Sequence, residues 1–146
     1  MKDCFEVDSI EETWEIARKF AALLKPGDIV CLEGDLGAGK TTFTQALARA
    51  LGVDGRVTSP TFCIVQEHRG GGLLLVHMDL YRLAGEEDLE AIGWEDYLER
   101  KAIIVIEWPE RAGGLVPDDA WHIVFRHSER GPDSRTISIA GAAPTR

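Results

Sequence analysis

The chain of 146 residues has no asparagine, and its three cysteines, Cys4, Cys31 and Cys63, form no CxxC pair. Neither a disulfide framework nor a structural zinc site is expected from so few, unevenly spaced thiols, and a reducing cytoplasm suits them. No apolar run approaches the ~20 residues that a membrane-spanning helix needs. Met1 to Glu15 carries acidic side chains and no apolar core of a secretory leader. Positive charge is in short supply: Lys and Arg number 16 against 25 Asp and Glu, a formal charge of −9. A protein that tracks phosphate backbones needs a basic face, so neither DNA nor a membrane is expected as a partner, and tRNA only indirectly. Repeats, low-complexity tracts and linkers are also missing. Apolar residues at 45% and charged residues at 28% then describe one ordinary folded domain. A single domain over residues 1–146 is expected, with 141–146 as a loose tail.

Apolar periodicity and turn residues divide the chain into elements. Ser9, followed by Glu12, reads as a helix cap, and Ile16, Phe20, Leu23 and Leu24 recur at helical spacing before Pro26-Gly27. The run from Asp28 to Glu33 suits a buried parallel strand, Gly34 to Gly39 a loop, and Lys40 to Leu51 a helix closed by Gly52. Phe62 to Glu67 and Leu73 to Met78 read as strands joined by a hairpin at Arg69–Gly72. Glu86 to Ile92 reads as an acidic helix with a solvated face, Ala102 to Ile106 as a second buried strand, and Trp121–Arg126 with Thr136–Ile139 as a closing pair around Gly131-Pro132.

Gly34-Asp35-Leu36-Gly37-Ala38-Gly39-Lys40-Thr41 satisfies G-x-x-x-x-G-K-[ST], with an apolar strand before it and an amphipathic helix after it. Glycines let the backbone N–H groups close around phosphate oxygens, and the positive end of the new helix faces the same anion. Lys40 is then expected to reach the β- and γ-phosphates of ATP, and the Thr41 hydroxyl to ligate Mg²⁺. Asp35, Leu36, Gly37, Ala38, Gly39, Lys40, Thr41 and Thr42 make up the expected ATP-binding loop.

Mg²⁺ takes oxygen ligands and keeps several waters, so one or two carboxylates should arrive from a neighbouring strand end. Glu107, directly after Ala102–Ile106, and Asp79, directly after Leu73–Met78, are the candidates, with a solvated strand end as the plain alternative for each. Glu107 is expected to face Mg²⁺ together with Thr41. Asp79 is expected to end a hairpin strand entering the site from the side, where it would orient the attacking water or hold the Ser59–Thr61 loop. Trp108, beside one of these acids, and Trp14 read either as rim or core residues or as packing surfaces for a nucleotide or partner. His77, inside an apolar strand, reads as a hydrogen-bonded core histidine rather than a catalytic one.

Four blocks in order carry a wider resemblance: the Gly34–Phe43 loop, Val57-Thr58-Ser59-Pro60-Thr61-Phe62, His77-Met78-Asp79-Leu80-Tyr81-Arg82-Leu83 and Glu107-Trp108-Pro109-Glu110. Together they resemble the TsaE family, bacterial P-loop ATPases of tRNA threonylcarbamoyladenosine biosynthesis, over nearly the whole chain. The resemblance implies a three-layer α/β P-loop NTPase fold, with a mixed, mainly parallel central sheet extended by antiparallel hairpins. It implies ATP hydrolysis coupled to a TsaB–TsaD complex that transfers threonylcarbamoyl to adenosine 37 of tRNA. It puts Thr41 and Glu107 on Mg²⁺, makes Asp79, Glu107 and Lys40 catalytic, and brings Ser9 and Thr13 near the base. Ser59, Pro60 and Thr61 become a switch near the γ-phosphate, and Tyr81, Arg82 and Trp108 join them in switch or partner contacts. The family's Gly-Arg in the last hairpin is Gly131-Pro132 here, with Arg130 and Arg135 nearby, so the resemblance assigns no nucleotide contact to that hairpin.

Three other classes fit less of the chain. A GTPase would need N-K-x-D for guanine, which a chain without asparagine cannot supply, and a D-x-x-G switch, which is missing. A small-molecule kinase needs an Arg-bearing lid, and only the isolated Arg82 and Arg111 offer themselves. A nucleotide-gated binding module without productive hydrolysis shares every feature except turnover. The parallel centre is expected to consist of the strands Asp28–Glu33 and Ala102–Ile106, with the site at their carboxyl ends.

Overall fold

The computed structural model describes residues 2–34, 39–53, 65–132 and 134–141. The expected cap opens the first helix: the Ser9 hydroxyl accepts the Glu12 N–H at 3.2 Å, and the Glu12 carboxylate accepts the Asp8 N–H at 3.1 Å. Two orphan donors are thereby satisfied, and α1 runs Ile10–Ala21. It stops before Leu23 and Leu24, of which Leu24 packs on the core and Leu23 stays exposed.

The apolar run after Gly27 forms β2 (Ile29–Gly34), and α2 (Lys40–Ala50) follows with Leu51 as its cap. The hairpin β3 (Val65–Gly70) and β4 (Leu73–Asp79) turns on Gly71-Gly72 alone, so β3 reaches further than expected; Phe62 to Ile64 lie outside the described residues. Helices α3 (Glu86–Ala91) and α4 (Trp94–Glu99) lead into β5 (Ile103–Glu107), a 3₁₀ turn at Pro109–Ala112, then β6 (Trp121–His127) and β7 (Arg135–Ala140). A strand at the start of the chain, β1 (Lys2–Val7), was not read from the sequence, nor was α4.

Among the described residues the strands form one sheet in the order β1-β7-β6-β2-β5-β4-β3. The parallel centre is wider than the two strands expected. β6 pairs β2, β2 pairs β5 and β5 pairs β4, all in parallel, so one strand from each expected hairpin belongs to the centre. The antiparallel pairings β3 with β4, β6 with β7 and β7 with β1 extend both edges. Asp79 therefore does not enter from the side. It stands at the carboxyl end of a central strand, in register with Glu107.

Helices cover both faces, giving three layers. Helices α1 and α2 pack with Val30, Leu32, Leu75, Ile103, Val105, Ile123 and Phe125 in one core. On the opposite face α3, α4 and the 3₁₀ turn pack with Cys31, Val76, Met78, Ile104 and Ile106. Phe43 ties the first core together, its ring edge-on to Phe125 at 5.4 Å and tilted against Phe20 at 6.1 Å. It is fully buried, so Phe43→Ala should cost roughly 3–5 kcal/mol. No helix among the described residues is long and apolar enough to cross a membrane.

Candidate functional site

Strand alternation decides which side chains reach the site. On β4, Leu75 belongs to the α1/α2 core while Val76 and Met78 face the other way; on β5, Ile103 and Val105 face α1/α2 while Ile104 and Ile106 do not. Side chains two apart share a face. The α1/α2 face therefore continues as His77 and Asp79 on β4 and as Glu107 on β5. An apolar surface gives way to ionisable groups at the carboxyl ends of the parallel strands, where α2 begins.

The backbone there is shaped by glycine. Gly34 ends β2 with φ of 140°, and a Cβ on it would lie 2.2 Å from the carbonyl oxygen of Phe125 on β6, so no other residue fits. Gly39 caps α2 with φ of 105°, in the left-handed region that glycine adopts without strain. Its carbonyl accepts the Phe43 N–H at 2.9 Å, and the Thr44 hydroxyl donates to the Lys40 carbonyl at 3.0 Å, which fixes the first turn of α2. Asp35, Leu36, Gly37 and Ala38 lie outside the described residues, as do Ser59, Pro60 and Thr61.

Lys40 and Glu107, both expected in the site, lie side by side. Both are buried, and Lys40 Nζ lies 3.8 Å from Glu107 Oε1. The other carboxylate oxygen, Oε2, is 2.7 Å from His77 Nε2. Glu107 is the last residue of β5 rather than the residue after it, which is why it is buried instead of solvated. Asp79 is half-buried, and its Oδ1 accepts the Tyr81 N–H at 3.0 Å, shaping the turn after β4. Thr41 is half-buried in the first turn of α2.

Trp108 adopts φ of 61°, a left-handed conformation in a residue that is not glycine. Such a backbone costs on the order of 1–3 kcal/mol and persists only where its surroundings hold it. Here it carries the indole over Lys40, with Nζ 5.5 Å from the ring centroid. Tyr81 packs on Trp108 at 4.9 Å, and the Arg111 guanidinium lies 5.8 Å from the Tyr81 ring while donating to the Leu83 carbonyl. Tyr81 is 55% exposed and Trp108 36%, so the stack forms an aromatic wall open to solvent beside the buried Lys40. Arg82 is exposed on the same turn. Trp14, on α1, faces α2 instead, lining a groove with Ala46 and Ala50 under the Arg49 guanidinium.

Ser9 and Thr13 line a cleft of about 440 Å³ together with Gly39, Thr42 and Arg135. Its rim is braced by Asp8, which accepts from Ser134 Oγ at 2.6 Å and from Arg130 at 2.9 Å, while Arg130 also pairs with Glu6. The last hairpin thus contributes Arg135 to the cleft and spends Arg130 on structure. Sequence reasoning missed Arg135 as a lining residue; His77 is the hydrogen-bonded core histidine that was expected, with Glu107 as a partner the sequence did not name. Arg135 belongs to no motif, and although His77 opens one of the four blocks, its meeting with Glu107 comes only from strand pairing.

Residues 7–137 match the model of the family described as Threonylcarbamoyl adenosine biosynthesis protein TsaE. A tRNA threonylcarbamoyladenosine biosynthesis protein TsaE of Bacillus subtilis is 43% identical over 129 residues, covering 88% of this chain and 79% of that protein. The protein of the same name from Treponema pallidum is 38% identical over 132 residues, covering 90% and 96%. The crystal structure of Bacillus subtilis YdiB matches with a TM-score of 0.81 at 35% identity, covering 98% of this chain and 87% of that one.

Proposed function

The chain belongs to the TsaE family, and from that premise we propose that it is the ATP-hydrolysing subunit of the machinery that forms threonylcarbamoyladenosine in tRNA. One observation carries the reading. A buried lysine and a buried carboxylate meet at the first turn of an 11-residue helix that opens from G-x-x-x-x-G-K-T. A free buried cation is costly, so Lys40 rests against Glu107 until a stronger anion arrives. A triphosphate is such an anion: it would draw Lys40 away through charge-assisted bonds worth roughly 1.5–3 kcal/mol each. The 440 Å³ cleft beside Gly39 and Thr42 would receive the nucleoside, against Ser9, Thr13 and Arg135.

The donor set suits Mg²⁺. No group of three or more His, Cys, Asp or Glu side chains that could cage a metal occurs among the described residues. Mg²⁺ does not ask for a cage; it binds through one or two carboxylates, a hydroxyl, waters and the phosphates themselves. Thr41 and Glu107 would hold it, and when bound it would neutralise charge on the phosphates. Asp79 would orient the attacking water; its register with Glu107 and its hold on the Tyr81 N–H support that role. The exposed Tyr81–Trp108 wall with Arg82 is our candidate contact for the TsaB–TsaD complex. With a charge of −9 the chain would reach tRNA through that complex, in the cytoplasm, rather than bind it directly.

Titration calorimetry tests the first step. ATP should bind in the presence of Mg²⁺, and Lys40→Ala should weaken binding at least tenfold; equal affinity in both chains would remove the phosphate site. The aromatic contact to Lys40 also favours a second reading, in which capture of ATP only resets the Trp108 wall for a partner. Tight binding without phosphate release, alone or with TsaB–TsaD, would select it.

A further inference from the structure

His77 lies in a place where a histidine is expensive. Its side chain is fully buried, and its register partners are the apolar Val105 on β5 and the polar Gln66 on β3. Its Nδ1 finds no hydrogen-bond partner among the described residues. An unpaired buried polar atom is destabilising, and a leucine here would avoid it. What the ring has in return is one short contact: Nε2 stands 2.7 Å from Glu107 Oε2. A carboxylate only accepts, so Nε2–H donates.

The end torsion of a glutamate is soft, and a carboxylate without a partner turns freely about it. With Oε2 tied to His77, rotation stops and Oε1 is directed to Lys40, at 3.8 Å, and to the first turn of α2. We propose that His77 is a positioning residue: its Nε2–H fixes the Glu107 carboxylate so that Oε1 faces the phosphate and cation site. This rests on the functional reading above, because it assigns Glu107 to that site. Carboxylate ligands are commonly oriented in this way by an outer hydrogen bond, and loss of such a partner costs roughly 10–100-fold in metal affinity or activity.

The experiment is titration calorimetry of ATP against the full chain, with Mg²⁺ and with EDTA. It compares the unsubstituted protein with His77→Leu, His77→Gln, Glu107→Gln and the His77→Leu/Glu107→Gln pair. Leucine fills the space without a donor, and glutamine returns an N–H. His77→Leu should lower the Mg²⁺-dependent gain in ATP affinity about tenfold or more, with little change in EDTA. His77→Gln should recover most of the gain, and His77→Leu should add nothing in the Glu107→Gln background. A gain in His77→Leu equal to that of the unsubstituted chain overturns this inference alone. No Mg²⁺-dependent gain in the unsubstituted chain overturns the functional reading and this inference with it. Should circular dichroism show that His77→Leu does not fold, the ¹⁵N resonances of the ring decide. The proton should sit on Nε2 and its signal should shift in Glu107→Gln; an unshifted signal overturns the inference.

Discussion

Glu107 divides its two oxygens between different partners, and the one left to Lys40, Oε1, lies 3.8 Å from Nζ with both side chains buried. Removing one member of such a pair strands the other charge away from water, which typically costs 3–5 kcal/mol. Lys40→Ala should therefore destabilise the fold by about 3 kcal/mol, besides losing ATP. Adding Glu107→Gln should recover part of that stability, because the stranded charge is gone. Urea unfolding of the single and double variants checks this; a double variant as unstable as the sum of the two singles would show the pair to be unimportant.

Asp79 and Glu107 end adjacent parallel strands in register, yet their surroundings differ. Glu107 is buried against Lys40 and His77, whereas Asp79 is half-buried and holds a backbone N–H. Glu107→Gln should weaken the Mg²⁺ dependence of ATP binding as well as turnover. Asp79→Asn should leave Mg·ATP binding largely intact and reduce turnover by about 10²-fold or more, the loss expected when a water-orienting base is removed. ATP affinity with and without Mg²⁺, together with steady-state phosphate release, separates the two; the opposite pattern would exchange their roles.

These relationships show how far the sequence could be read. The strand Ile29–Gly34 and the helix Lys40–Ala50 were legible because an unbroken apolar run and a helical stripe stand on either side of a glycine motif. The Ile103–Glu107 strand was legible for the same reason. β1 was not: it is an edge strand in which Asp3, Cys4, Phe5 and Glu6 are all exposed, so burial leaves no alternation to detect. The parallel pairing of β4 with β5 was hidden too, since a hairpin signal at Gly71-Gly72 says nothing about the other edge of β4. The meeting of His77 with Glu107, 30 residues apart, follows only from that register. Asp79 and Glu107 stood out because each ends an apolar strand.

The cleft gives a prediction that no motif supplies. Arg135 enters it from β7 although the hairpin it borders lacks the family's Gly-Arg. Arg135→Ala should lower ATP affinity several-fold while leaving the thermal midpoint nearly unchanged, because among the described residues the side chain donates to two backbone carbonyls close by in the chain, those of the exposed Pro132 and the buried Ser134. Calorimetry paired with a thermal melt distinguishes this from a general loss of structure. Unchanged affinity would place the nucleoside elsewhere.

Cys31 lies fully buried in β2, and burial, followed by the nearby Glu33 carboxylate, pushes its thiol up to about 12. The folded chain then keeps a proton that the unfolded chain releases from about pH 8.5 upward. Stability from this group is whole below that pH and falls as pH rises toward 12. At pH 8 a thiol reagent should modify the exposed Cys4 at once and Cys31 only on unfolding. Mass spectrometry of a Cys63→Ser chain reads both; prompt labelling of Cys31 would contradict its packing.

In the proposed reading, the carboxyl ends of β2, β4 and β5 would hold an ATP-hydrolysing site that serves a protein complex. Phosphate release from ATP, measured for the chain alone and with TsaB–TsaD, tests it most directly. Slow Mg²⁺-dependent release that rises when the complex is added, and that Glu107→Gln lowers, is the predicted result. No release in either setting, or release that persists undiminished in Glu107→Gln, would contradict it.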